Sequence, residues 1–281
     1  MADQHIKHVL VPVDFSELSV LALRYAINLA KCAGARITVL YADPFLPPPY
    51  FTESSLEELK QQVVTAKQQA ETLLRQLVAD EAGQVPGVSV RVDEGLPADS
   101  IRRVASDSGA DLIIMGTHGR SGMNRLLLGS VTERVLREAQ VPVLVVRGDW
   151  NSSRIRRIVC PVNDSAPARR ALALSADLAS CFSASLNVVH VKQPGTDDSI
   201  HDLCGWIPEA QRPVCTATEL SSATDVAEQV IALASESNTD LLVLGARHRR
   251  FFDTSVLGAN TIRMLRHAPC PVLAVFGTGA A

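Results

Sequence analysis

Leu112-Ile113-Ile114-Met115-Gly116-Thr117-His118-Gly119 carries an apolar run into a glycine-bounded turn, and nine residues further on lie Gly129-Ser130 and a helical pattern from Val131 to Ala139. The apolar run reads as a buried strand. Glycines at its end let backbone N–H groups approach an anion, and the helix start adds unpaired donors and partial positive charge. The stretch predicts a strand–loop–helix cradle for phosphate. An altered copy follows at Gly245-Ala246-Arg247-His248 and Gly258-Ala259.

That copy belongs to a repeat of the whole chain. Residues 9–39 align with 158–188, pairing Pro12-Val13 with Pro161-Val162, Ser16 with Ser165 and Cys32 with Cys181. Further on, Asp111 pairs with Asp240, Gly116 with Gly245, Gly129 with Gly258 and Pro142-Val143-Leu144 with Pro271-Val272-Leu273. The register falls from 149 to 129, so the second copy is twenty residues shorter in its middle. A repeat this long is a domain. We expect domains at 1–148 and 155–281, with the boundary in the polar stretch from Gly148 to Arg154.

Within the first copy, Val9–Val13, Ile37–Tyr41, Val88–Val92, Leu112–Met115 and Val143–Val146 read as buried strands alternating with helices. Such strands argue for a doubly wound α/β fold, a parallel sheet covered on both faces. Ligands in these folds bind beyond the carboxyl ends of strands, where Asp14 and Gly116 stand. The long 56–78 helix predicts a buried stripe through Leu56, Leu59, Val63, Ala66, Ala70, Leu73 and Leu77, packed on its own sheet or forming a partner seam. The twenty missing residues fall on this helix. Lys192 to Arg212 is too short and too broken to replace it, leaving one sheet face either less covered or covered by the irregular Leu203–Ile207 segment.

Composition limits the function. The 281 residues are 47% hydrophobic and 20% charged, as in ordinary globular proteins. A net charge of −3 gives no general attraction to nucleic acid or anionic membrane, and 4% aromatics leave no stacking platform for single strands. The first residues are polar, and no apolar run reaches the ~18 residues of a membrane span. The six cysteines show neither a C-x-x-C pair nor regular spacing, so the expectation is a reduced, cytoplasmic protein. There is no Walker-type loop, no G-x-S-x-G elbow, no H-E-x-x-H, and no evident general base beside the glycine loop. These absences favour a binding protein over an enzyme.

The G-x-x-G-x9-G-[S/T] pattern lies between Val11-Pro12-Val13-Asp14-Phe15-Ser16-Glu17 and Val141-Pro142-Val143-Leu144-Val145-Val146. Together these resemble the universal stress protein family, over nearly the whole chain as two tandem copies. The resemblance implies Rossmann-like domains with five parallel strands in the order 3-2-1-4-5, each an adenine-nucleotide site. Carried over by position, Pro12, Val13 and Asp14 would contact the nucleoside, and the Ala42 backbone would border the adenine. Met115, Gly116, Gly119 and Arg120 would line the phosphates of ATP, with or without Mg2+. Gly129, Ser130, Val131 and Thr132 would supply helix N-terminal amides and hydroxyls. The residue types suit these roles, because a strand-end carboxylate matches ribose hydroxyls and arginine matches phosphate. Plainer roles stay open: Asp14 capping the first helix, Gly129-Ser130 as a simple cap, Arg120 as a solvated charge and His118 as an exposed side chain.

The resemblance also implies pairing through the last strands. Here Val143–Val146 and Val272–Val275 would pair within one chain as an internal pseudo-dimer and hide two sheet edges. Dimerisation of whole chains and unidentified protein partners also remain open. The second copy carries Asn163 for Asp14, His248 for Gly119 and Ala259 for Ser130. These changes predict ATP in the first copy only. The expectation is a nucleotide-responsive protein of stress adaptation with at most weak ATP hydrolysis, the alternative being a slow ATPase or nucleotide-dependent transferase using the same pocket. The basic run Arg247–Arg250 reads as a solvated loop that could also take another anion or a partner's acidic surface, and His190, His201, Cys204 and Cys215 do not match a zinc module.

Overall fold

The computed structural model describes residues 6–43, 53–83, 85–118, 128–147, 154–192, 200, 204–221, 225–251 and 254–277. In the first half, β1 (His8–Pro12), α1 (Glu17–Ala33), β2 (Arg36–Asp43), α2 (Glu53–Ala82), β3 (Val88–Glu94), α3 (Pro97–Ser108), β4 (Leu112–Gly116), α4 (Ser130–Glu138) and β5 (Val143–Val146) follow one another. The second half repeats the plan with β6 (Arg157–Val162), α5 (Ala166–Phe182), β7 (Ser185–Lys192), β8 (Cys215–Ser221), α6 (Val226–Glu236), β9 (Leu241–Ala246), a ribbon of β10 (His248–Phe251) and β11 (Thr254–Leu257), α7 (Ala259–His267) and β12 (Val272–Phe276).

Ten strands form one sheet in the order β3-β2-β1-β4-β5-β12-β9-β6-β7-β8. Each half therefore has the expected 3-2-1-4-5 order, mirrored about the centre. Neighbours pair in parallel except at the centre, where β5 and β12 run antiparallel with Val145 opposite Val272, Leu144 opposite Leu273 and Val143 opposite Ala274. The expected pairing of last strands within one chain is present. It removes two edges that would otherwise offer unpaired backbone groups.

Alternation along the strands sorts the core into two layers. Val9 and Val11 pack towards α1, α2 and α5, while Leu10 packs with Ile101 of α3 and Leu136 of α4. Equivalent residues do equivalent work in the two halves. Asp111 Oδ2 accepts from the Lys7 and His8 amides, and Asp240 Oδ2 accepts from the Arg156 and Arg157 amides. Each carboxylate ties the start of its half's first strand to the start of the fourth. Arg147 crosses the centre and donates to the carbonyls of Leu265, at 2.5 Å, and Arg266, at the end of α7.

Three expectations need correction. The α2 stripe holds in part: Ala70 is buried and Val63 and Leu77 are half-buried, but Ala66 and Leu73 fall outside it. Leu73 is 59% exposed, while Leu74 is fully buried beside the half-buried Leu77 and Val78. Ala66 is exposed, and Leu56 and Leu59 are side chains outside the described set. Of the described side chains of this 30-residue helix, Leu74, Leu77, Val78 and Ala82 belong to or pack against the core. The cysteines are not all reduced: Cys32 and Cys181 form a disulfide with Cα atoms 5.7 Å apart. The cover in the second half extends beyond Leu203–Ile207, since Ile207 is buried and a 3-10 turn at Glu209–Val214 follows it, with Gln211 donating to Asp177 of α5 at 3.0 Å. Among the described residues no helix is long and apolar enough to cross a membrane.

Candidate functional site

At the carboxyl ends of β1, β2 and β4, the first half encloses a cavity of about 210 Å³. Its walls explain its position. β1 ends at Pro12, and the chain turns through Phe15, whose φ of +63° lies in the left-handed region that a bulky residue seldom enters. That turn sets Ser16 as N-cap of α1, where its Oγ accepts from the Ser19 amide at 3.4 Å. Asp14 Oδ1 in turn accepts from the Ser16 amide at 3.1 Å and from its hydroxyl at 2.5 Å. The capping role belongs to Ser16, and Asp14 props the cap while lining the cavity. The Phe15 ring rests 5.2 Å from that of Tyr41, beside the β2 end that presents Ala42.

The opposite wall is the junction of β4 with α4. Met115 and Gly116 line the cavity from β4, and Val131 and Thr132 from the first turn of α4. Gly116 packs so closely under α1 that an added Cβ would lie 2.8 Å from Leu18 Cβ. Thr132 Oγ1 donates to the Gly116 carbonyl at 2.8 Å, and the Gly129 amide donates to the Thr117 carbonyl at 2.7 Å. These two bonds fasten the ends of the glycine loop together. No side chain caps α4 at Gly129. Its first turn therefore takes no capping bond from its N-cap residue, and partial positive charge gathers there.

Eight of the twelve expected site residues line this cavity: Pro12, Val13, Asp14, Ala42, Met115, Gly116, Val131 and Thr132. Gly129 and Ser130 stand at the α4 start but outside the lining, and the Gly129 amide is spent on Thr117. Gly119 and Arg120 fall outside the described residues. Ser16, Ser19, Pro97, Ile101 and His118 line the cavity as well. His118, read as exposed, is half-buried with Nδ1 3.0 Å from Thr117 Oγ1. Pro97 and Ile101 had a legible signal, a proline one residue after Gly95-Leu96 opening an amphipathic helix.

The second half keeps a cavity at the equivalent place, of about 390 Å³. Asn163 Oδ1 accepts from Ser165 Oγ at 2.6 Å, and Ser165 caps α5. Val191, Gly245, Gly258, Asn260 and Thr261 repeat the other walls, with Arg247 beside them. The β10–β11 ribbon takes the place of the glycine loop, and β11 packs against α4 of the first half. Among the described residues no group of three or more His, Cys, Asp or Glu side chains could hold a metal ion.

A model of the universal stress protein family matches residues 5–147 and again 154–275. A universal stress protein of Methanocaldococcus jannaschii is 36% identical over 146 residues, spanning 50% of this chain and 82% of the relative. One from Thermus aquaticus is 35% identical over 145 residues, spanning 50% of this chain and 98% of the relative. The crystal structure of a universal stress protein from Archaeoglobus fulgidus superimposes with a TM-score of 0.71 at 22% identity, covering 97% of this chain and 98% of that one. The chain belongs to the universal stress protein family, with two copies of its fold.

Proposed function

From this membership of the universal stress protein family, we propose that the chain is a cytoplasmic ATP-binding protein of stress adaptation, with one nucleotide held in its 1–148 domain and a degenerate site in its 155–281 domain. One observation carries the reading: Asp14, Ala42, Met115, Gly116, Val131 and Thr132, far apart in sequence, converge on one cavity beside an uncapped helix start. Its 210 Å³ is below the ~300–1,000 Å³ of whole small-molecule sites and suits a nucleoside. The phosphates would then pass over the α4 start, where the amides of Ser130 and Val131 and the Ser130 hydroxyl stand ready. By the family resemblance Gly119 and Arg120 would line them, and Mg2+ would bind through the phosphate oxygens. ATP would supply the charge that these donors compensate, and this chain's residues would hold and orient it.

The second half lacks the Asp14 charge and the Ser130 hydroxyl. Each loss is worth roughly 1–3 kcal/mol in a desolvated site. Partial addition lowers affinity about 10²- to 10⁴-fold. Calorimetric titration of the full chain with ATP should therefore give one tight site per chain. Two equal sites, or none, would overturn the reading. Sustained turnover above ~1 per second would move the protein into the enzyme class.

A further inference from the structure

The seam between the halves holds a second feature that the nucleotide reading does not use. Cys32 lies in the last turn of α1 and Cys181 in the last turn of α5, the same position of the two copies. Matching positions of a repeat face each other only close to the axis that relates the copies. That axis runs through the antiparallel β5–β12 pairing, and α1 packs on α5 across it. The Cα separation of 5.7 Å lies in the range that an unstrained disulfide spans. Both cysteines are half-buried, at a groove of about 410 Å³ lined by Ile6, Leu29 and Leu174 with Asp177 and Gln211. A small molecule can reach the sulfurs along this groove.

The other four cysteines are placed differently. Cys160 and Cys270 are buried, and burial pushes both thiols up to about 12, so neither forms a thiolate near neutral pH. Cys204 and Cys215 are half-buried, with thiols raised by burial.

We propose that Cys32 and Cys181 are an oxidant-written site, at which a hydroperoxide converts two thiols into the disulfide that staples the halves together. One sulfur attacks the distal oxygen of the peroxide. The O–O bond breaks, an alcohol or water leaves, and a sulfenic acid remains. The second sulfur attacks that sulfenic sulfur, the S–S bond forms and water leaves. The two sulfurs supply the two electrons that reduce the peroxide. The bond closes a loop of sequence separation 149 across a seam with three paired strand residues, so it restricts the unfolded chain and prevents the halves from parting.

The test uses the full chain, reduced and then treated with hydrogen peroxide. Remaining thiols are blocked, and the protein is digested with trypsin without reductant. The expected product links the peptide Cys32–Arg36 to the peptide Ala171–Lys192. It should be absent in C32S and in C181S and retained when Cys160, Cys204, Cys215 and Cys270 are replaced. Either single variant decides the matter if the other folds poorly. The oxidised chain should melt on the order of 10 °C above the reduced chain, and C32S should show no such difference. A peroxide product that joins Cys204 to Cys215, links separate chains, or stops at sulfinic acid on Cys32 would overturn the proposal, as would equal melting of both forms.

Discussion

Replacing Asp14 with Asn installs in the first half the residue that the second half carries at the same place. Asp14 Oδ1 holds Ser16 through bonds of 3.1 and 2.5 Å, and Asn163 Oδ1 holds Ser165 at 2.6 Å. An amide oxygen can therefore support this turn, and D14N should melt as the parent does. On the proposed reading, D14N removes the charge behind a hydrogen bond to a nucleoside hydroxyl. Bonds to charged groups are worth about 1.5–3 kcal/mol and neutral ones about 0.5–1.5. The difference, about 1–2 kcal/mol, corresponds to roughly 5- to 30-fold in affinity. Calorimetric titration with ATP on both proteins reads this loss directly. D14A provides the contrast, since it also drops both Ser16 contacts and should lower Tm as well. If D14N binds ATP within twofold of the parent, Asp14 serves the turn alone and its assignment to the nucleotide fails.

Two further outcomes follow from packing and charge. G116A would place Cβ 2.8 Å from the Leu18 side chain, whereas G245A would meet the Pro167 and Ala168 backbone at 2.6 Å. Both should destabilise by about 1–3 kcal/mol, with G245A the worse because backbone yields less than a side chain, and urea unfolding measures the order. Burial works against charge on Asp93, yet Ser100, Arg103 and Arg91 hold its carboxyl below its ordinary value. A depressed carboxylate adds stability above its unfolded value near pH 4, and that stability disappears as pH falls through the lower folded value. D93N should therefore flatten the acid end of the Tm–pH profile; an unchanged profile there counts against the Asp93–Arg103 pairing.

The strands and the repeat were legible because each rests on short-range signals, whereas the 3-2-1-4-5 order, the seam and most of the cavity residues were implied by the resemblance to the family. Apolar runs mark β1, β4 and β5, and the repeat register places the same signals in the second half. Where the sequence misled, the signal was ambiguous in a specific way. Leu73 and Leu74 are neighbours on one helix, each three or four residues from both Ala70 and Leu77, so spacing alone does not choose between them, and the core lies under Leu74. Cys32 and Cys181 align as copies of each other, which in sequence marks common descent, and only the two-fold arrangement turns matching positions into partners. The β10–β11 ribbon replaced a glycine loop in a segment whose basic residues read as solvated. Ser16 and Ser19 entered the cavity through tertiary placement that no local pattern encodes.

Arg147 bears on how the halves move. Its guanidinium grips the last carbonyls of α7, and the other end of that helix borders the second cavity through Gly258, Asn260 and Thr261. Nine residues of rigid rod thus span from one half's lip to the other half's final strand. A tilt of this rod must either break two charge-assisted bonds or drag β5 with it. The second half is accordingly not a silent duplicate: its fourth helix is held, at the far end, by the half that carries the glycine loop.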